Sequence, residues 1–404
     1  MPNVLNKIPK SALNVLSILE NRGYKAYIVG GAVRDMIMNR KAVDYDICTN
    51  ALPDDVRKVF LDHKYKVIET GIKHGTVTVS SNNTSYEVTT FRTDGEYLDN
   101  RHPKNVKFNV SLEEDLKRRD FTINALACDA QGKIYDFHNG ISDIQQKIIK
   151  TVGNPNIRFK EDALRMLRAL RFKATLKFEI EEKTAKAIIS NCDLIKNVSI
   201  ERINSETEKI LDNCGRTSLN GFEIVLRKAY DYNIRLTKND KEVIKRMPDH
   251  IMKVSYLYSK FKEDELNKRI NDLKLSNEKK NIIKRNILVT QIKDEELLDE
   301  YHIKKYLSEY GQNDGFLLIQ YLCYLKNFDI LIIKEKINSL LGSIVTIKTL
   351  DLDGEDLIEL GYNGKQIGLI LNQLVDLVLK GKVKNEKKFL IRNIKKCKLD
   401  WPQK

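Results

Sequence analysis

The chain has 404 residues, of which 42% are hydrophobic and 31% charged, and its 70 Lys and Arg against 56 Asp and Glu give a formal net charge of +14. That length implies about two to four folded units, and the balance of apolar and charged residues excludes a disordered chain. The positive excess suits a polyanionic partner, because each neutralised phosphate releases counterions, although a merely basic surface has the same composition.

In chain order, residues 11–21 carry helical spacing, 26–29 (AYIV) read as a buried strand, 43–48 (VDYDIC) as a second strand and 53–61 as a helix. Residues 76–80 and 86–91 are further strands, rich in Val, Thr and Tyr. A boundary is expected at Gly153-Asn154-Pro155. Beyond it, 158–174, 179–190 and 200–211 have helical spacing and few strand signals, and lysine-rich turns such as 276–280 (SNEKK) separate later helices. The expectation is an α/β domain with a mixed sheet over residues 1–153, then all-α segments over 154–215, 216–340 and 341–404. Cysteines 48, 128, 192, 214, 323 and 397 form no CxxC pair and have no histidines at zinc-ligand spacing, so they read as free thiols in a reducing compartment. With no apolar leader and no stretch long enough to cross a bilayer, the expected location is the cytoplasm.

Residues 27–35 (YIVGGAVRD) join a strand to a helix through two glycines. Gly30 and Gly31 leave the backbone bare where the helix begins, so its N–H groups could approach a phosphate, and Arg34 in the first turn could add a charged contact. A Gly-Gly turn can equally be structural. In Val43-Asp44-Tyr45-Asp46-Ile47, alternation places both aspartates on one face of a strand. Two carboxylates so close repel unless a cation lies between them, and oxygen ligands favour Mg²⁺ over zinc. In a two-metal site one ion activates the attacking hydroxyl and the other steadies the leaving oxygen. An exposed acidic strand edge is the alternative.

The combination Gly30-Gly31-x-x-Arg34-Asp35 followed by hydrophobic-Asp-x-Asp-hydrophobic resembles the signature of the nucleotidyltransferase superfamily that includes DNA polymerase beta. The resemblance implies a third catalytic carboxylate on a neighbouring strand. Glu87 is the candidate because it alternates away from Tyr86 and Val88, and an exposed strand glutamate is the alternative.

Two more motifs, Arg118-Arg119-Asp120-Phe121-Thr122-Ile123-Asn124-Ala125 and Glu161-Asp162-Ala163-Leu164-Arg165-Met166-Leu167-Arg168, resemble class II tRNA nucleotidyltransferases, the family of bacterial CCA-adding enzymes and poly(A) polymerases. The resemblance runs from the glycine turn to about residue 215 and more loosely beyond. Asp162, Arg165, Arg168 and Arg171 recur every third residue as a polar ribbon on a helix whose Ala163, Leu167, Leu170 and Ala174 face a core. A solvated arginine face would look the same. Cytosine and adenine both present an amino donor beside a ring-nitrogen acceptor, which an Asp acceptor beside an Arg donor matches. Uracil and guanine present the reverse and would leave buried groups unpaired, a mismatch worth roughly 10⁴-fold in good cases. Asp162 and Arg165 could therefore select CTP and ATP without a nucleic-acid template, the part the matching residues play in the family. The resemblance further implies that Arg168, Arg171 and Arg119 hold phosphate or sugar.

Residues 91–103 are polar and glycine-containing, and resemble the flexible loop that family members need to add the final adenosine. Residues 198–211 resemble the family's helical neck. Gly354, Gly361, Gly364, Gly368 and Gly381 punctuate the C-terminal helices, where the family's tail binds the tRNA elbow; packing glycines are the alternative. The resemblance thus implies a polymerase beta-like head followed by helical neck, body and tail, and an enzyme that adds CMP, CMP and AMP to the tRNA 3′ end and releases pyrophosphate. An A-adding enzyme, a poly(A) polymerase and a non-catalytic RNA-binding protein of the same fold are the alternatives. No DNA or membrane partner is expected, and a homodimer is compatible with the sequence.

Overall fold

The computed structural model describes residues 4–72, 75–81, 84–95, 104–213, 222–229, 236–290 and 298–396. The chain forms two units, Met1–Leu236 and Thr237–Lys404.

The first unit opens with α1 (Lys10–Glu20), whose Ala12, Val15, Leu16 and Leu19 make a fully buried stripe. Then come β1 (Ala26–Val29), α2 (Gly31–Ile37), β2 (Asp46–Thr49), α3 (Pro53–Asp62), β3 (Lys66–Gly71), β4 (Thr76–Ser81) and β5 (Thr84–Thr90). A two-strand ribbon, β6 (Thr93–Asp94) with β7 (Val106–Lys107), leads to α4 (Leu112–Lys117). Ser111 and Glu114 close a reciprocal capping box at the start of α4. A 3-10 turn at Thr122–Asn124 precedes β8 (Leu126–Cys128), β9 (Ile134–Asp136), α5 (Gly140–Gln146) and β10 (Ile148–Ile149). The helical part follows as α6 (Pro155–Glu161), α7 (Leu164–Leu176), the short β11 (Glu179–Ile180), α8 (Glu182–Asn191), α9 (Ile200–Asn213) and α10 (Phe222–Ala229).

Seven strands form one sheet in the order β3-β4-β5-β2-β1-β8-β9. The β2–β5 pair is parallel, with Ile47 opposite Val88, and the other pairs are antiparallel. The mixed sheet expected from the sequence is present, with three strands more than the periodicity revealed. β3 is an edge strand with largely exposed residues and so has no apolar alternation to read. β8 and β9 have three residues each, too few for a period of two to register.

Three boundaries differ from expectation. β2 begins at Asp46, so Asp44 lies in the irregular residues ahead of the strand. The helix expected over 158–174 is two helices, because Asp162 is extended (φ −143°, ψ 105°) and its carboxylate accepts the Leu164 N–H at 3.1 Å. Aspartate competes well for such N–H groups, so it starts a new helix more readily than it continues one. The segment expected to be helical from 179 begins as β11, which pairs with β10 in parallel. The predicted core stripe of α7 is correct: Ala163, Leu167, Leu170 and Ala174 are all buried.

The second unit is helical throughout its described residues. It comprises α11 (Lys238–Arg246), α12 (His250–Tyr258), α13 (Glu263–Asp272), α14 (Asn277–Thr290), α15 (Glu300–Lys326), α16 (Ile330–Leu340), α17 (Gly354–Glu359), α18 (Lys365–Leu379) and α19 (Lys387–Lys396). Gly311 (φ 79°, ψ 171°) breaks α15 into two arms. Gly315 lets them close on each other, since a Cβ there would lie 2.7 Å from the Tyr306 carbonyl oxygen. Leu352, Leu357, Ile370, Leu374, Leu390 and Ile394 form the core under α17 to α19. A Cβ added at Gly361, Gly364, Gly368 or Gly381 would meet no atom within 4 Å, so these are not packing glycines. No helix among the described residues is long and apolar enough to cross a membrane.

Candidate active site

The end of β1 turns at Gly30, where φ is +75° and an added Cβ would meet Nη1 of Arg119 at 3.2 Å. Only glycine combines that backbone with so close a guanidinium. Val29 pairs with Asp46, so the first residue of β2 stands beside the turn. Asp44 and Asp46 both line a cavity of about 580 Å³, together with Gly30, Gly31 and Arg34. Much of the rest of its lining is basic, formed by Arg118 and Arg119 after α4, Arg165, Arg168 and Arg171 on α7, and Arg202 on α9.

Glu87 is level with Asp46 across the parallel β2–β5 pair. It is exposed and outside the cavity lining, yet its charge reaches Asp46. Desolvation first, and then Glu87 and Asp44, raise the Asp46 pKa from its ordinary value, against the pull of Arg119. Among the described residues no three His, Cys, Asp or Glu side chains converge into a ready-made metal cage. A pair of carboxylates beside a basic cavity nevertheless suits Mg²⁺, which keeps waters and takes substrate phosphates as its remaining ligands.

The arginines are held by a network that joins the sheet to the helices behind it. Arg34, buried, donates through Nη1 to Asn124 Oδ1 at 2.7 Å and pairs with Asp35 at 2.9 Å. Asn124 donates to Asp120 at 3.3 Å, and Asp120 accepts from Nη2 and Nε of Arg168 at 2.6 and 2.7 Å. Burial would raise the Asp120 pKa, but Arg168 and Arg165 bring it down to about 2. Arg171 meets Glu206 at 2.5 Å, and the guanidiniums of Arg34, Arg168 and Arg171 lie 5.3, 5.6 and 4.1 Å from the ring centroid of Phe172.

Asp162 and Arg165 both reach the cavity, and both are partly engaged. Asp162 takes Arg202 Nη1 at 3.3 Å and Nη2 at 2.9 Å besides the Leu164 N–H. Arg165 Nη1 meets Glu161 at 2.5 Å and the Arg158 carbonyl at 3.2 Å, while Nη2 donates to the Arg118 carbonyl at 3.1 Å. A carboxylate offers about four acceptor positions and a guanidinium five donors. One acceptor position on Asp162 Oδ2 remains among these contacts, as do Nε–H and one Nη2–H of Arg165.

The family described as "Poly A polymerase head domain" matches residues 26–150, and that described as "Probable RNA and SrmB- binding site of polymerase A" matches 177–217. A CCA-adding enzyme of Ligilactobacillus salivarius is 36% identical over 97% of this chain and 98% of its own length. The chain belongs to the CCA-adding enzymes. It is 47% identical to the Lactobacillus helveticus CCA-adding enzyme over 61% of this chain and 60% of that enzyme. The crystal structure of the Bacillus stearothermophilus CCA-adding enzyme in complex with CTP superposes with a TM-score of 0.80 at 30% identity, covering 99% of this chain and 100% of that one. The Thermotoga maritima CCA-adding enzyme complexed with tRNA shares the fold, with a TM-score of 0.67 at 19% identity.

As a CCA-adding enzyme the chain is a nucleotidyltransferase, and the cavity gathers nine of the ten residues singled out from sequence: Gly31, Arg34, Asp44, Asp46, Arg119, Asp162, Arg165, Arg168 and Arg171. Glu87 stands apart from its lining. Arg118, Asn124, Phe172 and Arg202 also line it and were not singled out. Arg118 and Asn124 lie inside a recognised motif and could have been found there, whereas Arg202 sits in a helix with no distinguishing pattern. Of the expected loop over 91–103, residues 96–103 lie outside the described residues, as do Cys214 and Cys397.

Proposed function

We propose that this chain adds CMP, CMP and AMP to the 3′ end of tRNA from CTP and ATP, without a nucleic-acid template, and releases pyrophosphate. The observation that carries the reading is the single cavity that Asp44 and Asp46 line together with six further arginines beyond Arg34 and with Asp162. Asp44 and Asp46 would hold Mg²⁺, with Glu87 the third carboxylate, and the ion when bound would supply Lewis acidity at the reacting phosphate. Arg119, Arg168 and Arg171, with Gly31 and Arg34, orient the triphosphate and sugar of the incoming nucleotide. Asp162 accepts the exocyclic amino group of cytosine or adenine on its remaining Oδ2 position, and Arg165 donates to the adjacent ring nitrogen. The two arginine contacts that fix Asp162 and the three that fix Arg165 keep both groups from turning to suit uracil or guanine. We also assign residues 1–153 to the catalytic head, 154–215 to the base-recognising neck, 216–340 to a helical body and 341–404 to a tRNA-binding tail.

The test offers tRNAs that end before the tail, after one C and after two Cs, each with a single nucleotide, and resolves products on a sequencing gel. Both C and A should be added, ending at three residues. Addition of A alone, or of long A tracts, would replace this reading with an A-adding enzyme or a poly(A) polymerase. In the same assay Asp162→Ala should incorporate UTP and GTP alongside CTP and ATP.

A further inference from the structure

We propose that Asp115 is a positioning residue for nucleotidyl transfer, whose buried carboxylate holds Arg119 away from Asp46 and so keeps the acidic pair open to a divalent cation. The inference rests on the reading of Asp44 and Asp46 as the metal-holding pair.

Asp115 lies on α4 with its side chain wholly excluded from solvent. A buried carboxylate persists only when it is paired and hydrogen-bonded. Its two oxygens are used unequally. Oδ1 accepts from Arg118 Nη2 at 2.8 Å, Arg118 Nε at 3.0 Å and the Arg92 backbone N–H at 3.2 Å. Oδ2 faces Arg119 Nη2 at a longer 3.4 Å.

Arg119 is therefore placed between two acids. On one side is Asp115, and on the other is the glycine turn at Gly30, whose preceding residue Val29 pairs with Asp46; Arg119 and Asp46 line the same cavity. Its Nη1 lies over Gly30, and its buried Nε has no hydrogen-bond partner among the described residues. A guanidinium with an unsatisfied donor and two carboxylates in electrostatic reach moves toward one when the other is withdrawn. Arg119 paired with Asp46 would occupy the lone pairs that a cation needs. Asp115 prevents this at no loss of charge near phosphate, because Arg118 and Arg119 both remain on the cavity wall.

Asp115→Asn isolates the effect. Its amide keeps the shape of the carboxylate and can still accept from Arg118, but the NH₂ replacing Oδ2 sets donor against donor at Arg119. The readout is Mn²⁺ binding to the full-length enzyme without nucleotide, followed by electron paramagnetic resonance. Asp115→Asn should weaken Mn²⁺ binding about 10-fold, the size typical of residues that support metal ligands. In an Arg119→Gln background the same change should have an effect of less than about 2-fold, because the two residues act as one unit. Unchanged binding in Asp115→Asn would overturn the proposal. So would equal weakening in both backgrounds, which is the signature of a lost charge acting through space. An Asp44→Asn/Asp46→Asn enzyme that binds Mn²⁺ like the parent would instead overturn the metal reading beneath it. If Asp115→Asn fails to fold, Asp115→Asn/Arg118→Gln removes the orphaned cation with the anion and is measured in the same two backgrounds.

Discussion

Asp46 and Asp120 both line the cavity and are shifted in opposite directions: desolvation and neighbouring carboxylates raise the first, whereas neighbouring arginines outweigh burial and lower the second. Asp46 is raised by desolvation, Glu87 and Asp44, so protons compete for it at a higher pH than for an ordinary carboxylate. The metal concentration that half-saturates activity should accordingly rise as pH is lowered. Replacing Asp46 by Asn should cut nucleotide incorporation by about 10³-fold or more while tRNA binding, measured by filter retention, stays near wild type. Asp120 is the reverse case, held at about 2 where an ordinary aspartate titrates at 3.8. A carboxylate depressed in the folded state contributes stability above its unfolded pKa and loses it as pH falls through the folded one. Asp120→Asn should cost about 3 kcal/mol at neutral pH in urea unfolding, because Arg168 loses the charged oxygen that accepts from both its Nη2 and its Nε. That difference should shrink as pH is lowered from about 4 toward 2.

At the scale of elements, the motif at 118–125 is the whole connection from α4 through a 3-10 turn to β8, which is why one run of residues supplies Arg118, Arg119, Asp120 and Asn124 to one place. The turn is clamped from outside by α5. A Cβ on Gly140 would lie 2.2 Å from the Thr122 carbonyl oxygen, and Thr122 donates its hydroxyl to Asp143 at 2.6 Å. Gly140→Ala should therefore destabilise the fold by about 3 kcal/mol, the upper end for overpacking, and lower activity through Asn124 and Arg34. Thermal unfolding and single-turnover incorporation measure the two effects separately. The break at Asp162 belongs to this scale too. The three-residue spacing of Asp162, Arg165, Arg168 and Arg171 suggested a polar ribbon on one helix, but Asp162 stands ahead of α7 and is held by Arg202 of α9. Spacing picked out residues that share one cavity for a partly wrong reason, since a side chain at a helix start can reach the same lining as side chains one turn further on.

For the whole molecule, a formal charge of +14 over 404 residues gives a testable consequence for a polyanionic substrate. Binding of tRNA should fall by roughly 10³-fold or more between about 50 and 200 mM salt, with log affinity linear in log salt, in a fluorescence titration. The division into units was only partly legible in the sequence. Texture changes at residue 153, where strands give way to helices, yet α6 to α10 fold with the sheet in the unit that ends at Leu236. The sequence alone determined the carboxylate pair, the glycine turn and the arginine-bearing helix, because motifs of short spacing fold locally and carry their chemistry with them. Tertiary structure decided which cation most of the buried carboxylates meet. Asp115 and Arg118, Asp120 and Arg168, Asp162 and Arg202, and Glu206 and Arg171 are 3 to 48 residues apart in the chain, and three of the four pairs form only when separate elements pack. Electrostatic pairing depends on distance in space and on burial, and neither is recorded in the order of residues.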